Sequence, residues 1–119
     1  MDYRIVEQSG RRIVELSASA FLKSEQDTVE IAGACGEADA NLLLLSEGNL
    51  SSDFFDLRTG LAGAALLKWS NYRIRAAAVV SPERIGQGKF SEFALETNRG
   101  RQFFVASERE SAEEWLTGG

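Results

Sequence analysis

Short β-branched runs open the chain, at residues 3–7 (YRIVE) and 12–17 (RIVELS). Ser9-Gly10 stands between them as a turn signal, and the pattern predicts a β-hairpin. Helical spacing takes over at Ile31, Ala32, Cys35 and Ala38. The helix opens at Ser24, with Asp27 three residues on as a capping-box-like pair. Gly33 and Gly36 weaken it by about 1 kcal/mol each relative to alanine. Residues 41–45 (NLLLL) are apolar at every position after Asn41, as in a strand covered on both faces.

SSDFFDLRTGLAG follows, at residues 51–63. Ser51 or Ser52 can cap a helix there, and Asp53 suits the positive end of its dipole. The pattern predicts one helix to about Ser70, ended by Asn71 in a left-handed conformation. Residues 72–80 (YRIRAAAVV) read as a strand and 81–89 (SPERIGQGK) as a loop. Phe90, Phe93, Ala94 and Thr97 fall on a third helix, stopped by Asn98-Arg99-Gly100. Residues 102–106 (QFFVA) form the last strand. Ser107 with Glu110 opens a final helix whose inner stripe is Ala112, Trp115 and Leu116. The order is ββαβαβαβα. It predicts one α/β domain over residues 1–119 with a single, mostly parallel five-stranded sheet, right-handed crossovers and an antiparallel first strand at or near an edge.

Composition narrows the functions open to this fold. Of 119 residues, 44% are hydrophobic and 26% charged, which is the ordinary globular range. Net charge is −5 and no run of Lys and Arg exists, so neither nucleic acid nor an anionic membrane surface is an expected partner. No apolar stretch approaches the length of a membrane span. MDYRIVEQ lacks the order of a secretory signal, and the single cysteine cannot form an internal disulfide; together these point to the cytoplasm. Histidine is absent, which removes the commonest general base, the commonest transition-metal ligand and both familiar His-dependent triads. No metal or cofactor is implied.

DFFDLRTGLAG, KWSNYRIRAAAV, FALETNRGRQFFV and AEEWL resemble the domain-of-unknown-function family numbered 4180 over nearly the whole chain. That resemblance implies a small bacterial protein and brings no activity with it. More distantly, the element order is similar to the STAS domain, the fold of bacterial anti-anti-sigma proteins. DLRTGL looks like the Asp-Ser-Ser-Gly-Leu element that opens the second helix there, with one residue more. Arg58 and Thr59 stand nearest the serine that is phosphorylated in those proteins, so the switch serine is unmatched. The STAS resemblance implies a non-catalytic interaction module.

Two surfaces are candidates for function. The first is a contact surface for a protein partner or a second copy of the chain: Phe54, Phe55, Arg58 and Leu61, supported by the small residues Gly60 and Gly63. Two glycines inside a helix cost roughly 2 kcal/mol against alanine, which close approach of a neighbour could offset. Phe54 and Leu61, seven apart, share a face, and the helix is apolar over a wide arc. Packing within the fold is the plainer account of both features. The second candidate is a small-molecule site for an acidic ligand at the C-terminal edge of the sheet, using Ser52, Arg58, Gly86, Gly88 and Lys89. The loops after parallel strands gather at that edge, the usual ligand side of α/β folds. Gly86-Gln87-Gly88-Lys89 faintly resembles a phosphate cradle, far short of a Walker motif. Cys35 shares the stripe of Ile31 and Ala38, as a buried inert thiol does. Glu108, Glu110, Glu113 and Glu114 read as a solvated face, and no pair of acids has a catalytic spacing.

Overall fold

A computed structural model describes residues 1–118. Ser9 and Gly10 have φ of 53° and 74°, the two left-handed residues a two-residue hairpin turn needs. They join β1 (Tyr3–Gln8) to β2 (Arg11–Leu16) as an antiparallel pair with Gln8 opposite Arg11. The capping box forms as predicted at α1 (Glu25–Glu37). The Ser24 hydroxyl accepts from the Asp27 amide at 3.3 Å, and the Asp27 carboxylate accepts from the Ser24 amide at 3.2 Å. Then come β3 (Leu42–Ser46), α2 (Ser52–Phe55), α3 (Leu61–Asn71), β4 (Arg75–Val79), α4 (Pro82–Ile85), α5 (Gly88–Thr97), β5 (Phe103–Ala106) and α6 (Arg109–Gly118).

The sheet is mixed. Strands lie in chain order, β1-β2-β3-β4-β5, with β1 antiparallel to β2 and the rest parallel. Its apolar rows run across the strands. Val14, Leu43, Ala76 and Phe103 stand in register and belong to the larger core. Leu44 and Ala77, in the next row, belong to the smaller one. Sequential parallel strands with right-handed crossovers place every crossover helix on the same face. That face holds Ile31 and Cys35 of α1, Phe54 and Phe55 of α2, Leu61, Ala65 and Trp69 of α3, and Phe90 and Ala94 of α5. The opposite face receives α6, through Ala112 and Leu116 over Ile13, Leu42, Leu44 and Ala77. Polar ties secure α6 at both ends. Near its start Arg109 grips the Glu15 carboxylate at 2.6 and 2.7 Å. At its other end the Arg75 guanidinium donates to the Trp115 carbonyl at 3.1 Å and lies 4.2 Å from the centre of the Trp115 ring. A cation at a helix C-terminus also complements its dipole.

The two sheet edges differ. On β5, the Asn98 side chain acts as a surrogate strand: it donates to the Val105 carbonyl at 2.9 Å and accepts from the Val105 amide at 2.8 Å. Thr97 Oγ1 donates to the Phe103 carbonyl at 3.1 Å. On β1, the bond from the Ser17 amide to the Asp2 carbonyl sets the phase of the hairpin. The even-numbered residues of β1 therefore bond to β2, and the amides and carbonyls of Tyr3, Ile5 and Glu7 point away from it.

Three sequence expectations change. Residues 51–70 are not one helix. The chain leaves α2 at Asp56, makes a single 3₁₀ turn over Leu57–Thr59 and restarts at Leu61 through Gly60. Asp56 drives the break by capping that turn, accepting from the Arg58 amide at 3.1 Å. Asn71 is the last residue of α3, and the left-handed residue after it is Arg73, with φ 60°. The stretch 81–89 is not all loop, because Ser81 caps α4, Pro82 fills its first position and α5 begins at Gly88. Among the described residues no helix is long and apolar enough to cross a membrane.

Candidate functional site

The segments that follow β2, β3 and β4 are tied together at the C-terminal edge of the sheet. Asn49, fully buried, is the hub. Its side-chain amide donates to the carbonyls of Ser17 and Ala20 at 2.9 and 2.8 Å, and its oxygen accepts from the Ser46 amide at 2.9 Å. The backbones of Leu22 and Asn49 are joined at 2.7 Å. Glu47 extends the network to the segment after β4. Its carboxylate accepts from the Ser81 amide at 2.7 Å and lies 3.7 Å from Arg84. The Ser81 amide, with Arg84 assisting, holds the Glu47 carboxyl below its ordinary range.

Above this network a cleft of about 250 Å³ opens between Phe55–Arg58 on one side and Arg84 with Gln87–Phe90 on the other. Phe55 and Phe90 form its apolar wall, edge to face with ring centres 4.9 Å apart. The Arg84 guanidinium lies 4.5 Å from the centre of the Phe55 ring. Arg58, Arg84 and Lys89 supply three cations to the lining, and Asp56 is its one acid. Arg58 donates to the Asp56 carboxylate bidentately, through Nε and Nη2 of one guanidinium edge, at 3.0 and 3.1 Å. Hydrogen bonds from Arg58 hold the Asp56 carboxyl below its ordinary value. Lys89 lies 3.6 Å from Glu92 on the outer surface of α5. The lining contains no serine, threonine, cysteine or histidine.

The cleft unites part of each predicted site. Arg58, Gly88 and Lys89 line it, as does Phe55 from the proposed contact surface. Phe54, Phe55 and Leu61 are corrected from surface to core, at 0, 8 and 5% exposure. They pack inward because the break after Phe55 turns two short segments toward the sheet. Arg58 does remain at the surface, with a side chain 90% exposed, and its partner is Asp56. Gly60 lies outside the helix at φ 79°, so conformation explains it. Gly63 sits in α3, and a methyl group added there would meet nothing within 4 Å. Neither glycine marks close packing inside the fold. Ser52 is an exposed first residue of α2, and Gly86 ends α4; neither lines the cleft. Thr59 is engaged locally, its hydroxyl within reach of the Asp56 carbonyl at 2.9 Å and the Leu61 amide at 3.2 Å. Cys35 is buried, and burial raises its thiol to about 11, which leaves it unreactive.

Sequence reasoning missed Arg84, Phe90 as a wall, and the Asn49–Glu47 network. The Ser81-Pro82 start signal could have placed Arg84 on a helix. Ser46-x-x-Asn49 could have marked a local cap. No local signal joins Glu47 to Ser81, because that bond depends on the β3–β4 pairing.

No curated protein and no solved structure matches the chain. A family model described as a domain of unknown function (DUF4180) matches residues 8–116, which span β2 to β5, the cleft and the crossover helices. The chain therefore belongs to the DUF4180 family.

Proposed function

We propose that this protein is a non-catalytic, STAS-like binding module whose cleft takes the acidic group of a small molecule. The observation that carries the reading is the convergence of Arg58 from the 3₁₀ turn, Arg84 from α4 and Lys89 from α5 on one aromatic-walled cleft. Its single acid is already neutralised by Arg58. In a chain of net charge −5, the surplus of two positive charges left in the lining by Arg84 and Lys89 favours an anion locally. The cleft is small, which suits a compact carboxylate or phosphate ester with a short apolar body against Phe55 and Phe90. STAS-likeness is supported by the element order and by the DLRTGL segment leading into α3.

Contact with another protein is a second reading, favoured by the outer face of α3. Gly63 is open there, and Leu67, one turn on, is 64% exposed.

Native mass spectrometry of gently purified protein, followed by calorimetric titration with small carboxylates and phosphate esters, tests the first reading. A retained small acid, with affinity cut at least about tenfold by Arg84→Gln or Lys89→Gln, supports it. Absence of a bound mass and no heat at millimolar acid would overturn it, and a heterologous protein complex weakened by Leu67→Ser would favour the second.

A further inference from the structure

We propose that the open edge of β1 is a self-association surface, on which a second copy of this chain pairs its own β1 antiparallel to form one continuous ten-stranded sheet. The proposal is independent of the acidic-ligand cleft, which lies at the C-terminal ends of β3 and β4.

Three observations carry it. The two sheet edges are treated differently: Asn98 and Thr97 occupy the outward Phe103 carbonyl and both outward groups of Val105 on β5, whereas among the described residues nothing bonds the outward amides and carbonyls of Tyr3, Ile5 and Glu7. An unprotected edge is a template for another strand. The edge also carries an apolar side chain at its centre, since Ile5 is 47% exposed although its cross-strand neighbour Val14 is fully buried. Finally, the sequence is self-complementary about Ile5. A two-fold axis there sets Ile5 opposite Ile5, Tyr3 opposite Glu7 and Arg4 opposite Val6, and opposes no like charges directly. All three outward-facing residues then meet outward-facing residues, so their amides and carbonyls find partners together. Charge protection of the edge is weak, because Arg4 is turned onto its own Glu15 at 3.1 Å.

A six-residue strand pair is small for an interface, so the dimer should form in roughly the micromolar range. Sedimentation of the full chain between about 1 and about 200 µM should show a concentration-dependent shift from one to two copies. Ile5→Pro removes an amide that bonds nothing within the chain, a substitution that edge strands tolerate; it should leave the unfolding midpoint nearly unchanged and abolish the dimer. Register is read by cross-linking. In the proposed pairing the two residues 5 lie about 5.5 Å apart between Cα atoms, within disulfide range. The two residues 7 lie roughly 14 Å apart, outside it. Under oxidised glutathione Ile5→Cys should give a covalent dimer and Glu7→Cys should not; buried Cys35 does not compete. A monomer at the highest concentration, a dimer indifferent to Ile5→Pro, or equal cross-linking at both positions would each overturn the proposal.

Discussion

Asn49→Ala should be among the most damaging single substitutions on the surface-loop side of this fold. The residue is fully buried, and its side chain serves three backbone groups: the carbonyls of Ser17 and Ala20 and the amide of Ser46. Truncation leaves the Ala20 carbonyl and the Ser46 amide without partners, while the Ser17 carbonyl keeps its bond from the Ala20 amide at 2.9 Å. One buried unsatisfied group costs about 1–3 kcal/mol. Two such groups, discounted for partial relaxation or an entering water, give a loss of roughly 2–4 kcal/mol. Total stability for a domain of this size is about 5–15 kcal/mol, so the loss is a large fraction. Urea unfolding followed by tryptophan fluorescence measures it directly, since Trp69 is buried in the main core. The midpoint should fall with an unchanged slope. A loss below about 1 kcal/mol would refute the reasoning, because it would mean that the hub amide is readily replaced by solvent. Asn49→Asp is the sharper control: it keeps the acceptor facing Ser46 but sets an oxygen against two carbonyls, so it should rescue little.

Other perturbations separate the remaining assignments. Phe54→Ala should cost roughly 3–5 kcal/mol in the same assay and leave the oligomeric state of the folded fraction unchanged, since Phe54 is core; a change in association without loss of stability would contradict this. Gly60→Ala should destabilise by about 1–2 kcal/mol because it forces a side chain onto φ 79°, whereas Gly63→Ala, in open space on a helix, should stabilise by about 0.5–1 kcal/mol; equal effects would refute the distinction. The Glu15 carboxyl is held below its ordinary 4.5, chiefly by hydrogen bonds from Arg109, with burial opposing. Its contribution is therefore complete above about pH 4.5 and lost as pH falls through the lower folded value. Glu15→Gln should flatten the acid limb of the stability curve, and an identical limb in the variant would refute the assignment.

The parts of the fold visible in the sequence are those decided by neighbours. Ser9-Gly10 dictates its turn, Ser24 and Asp27 cap each other three residues apart, and NLLLL carries its burial in its composition. The break at residues 56–60 was hidden because Phe54, Leu61 and Ala65 keep helical spacing across it, so two short segments mimic one helix. Asp56 and Gly60 encode the interruption, but each is equally readable as an ordinary helix-start acid or a packing glycine. Arg58 was visible as a candidate by its isolation among apolar residues. Arg84 and Phe90 reach the same cleft only because β3 and β4 pair in parallel, information that no local pattern holds.

The Asn98 side chain has a consequence for how large any assembly can grow. A sheet whose far border is already satisfied from within its own chain offers strand addition in one direction only. Pairing through the other border then terminates at two copies, and head-to-tail polymerisation into fibres has no second docking point. In the proposed dimer, Asn98, by filling the hydrogen-bonding groups of Val105, would set that ceiling at two copies.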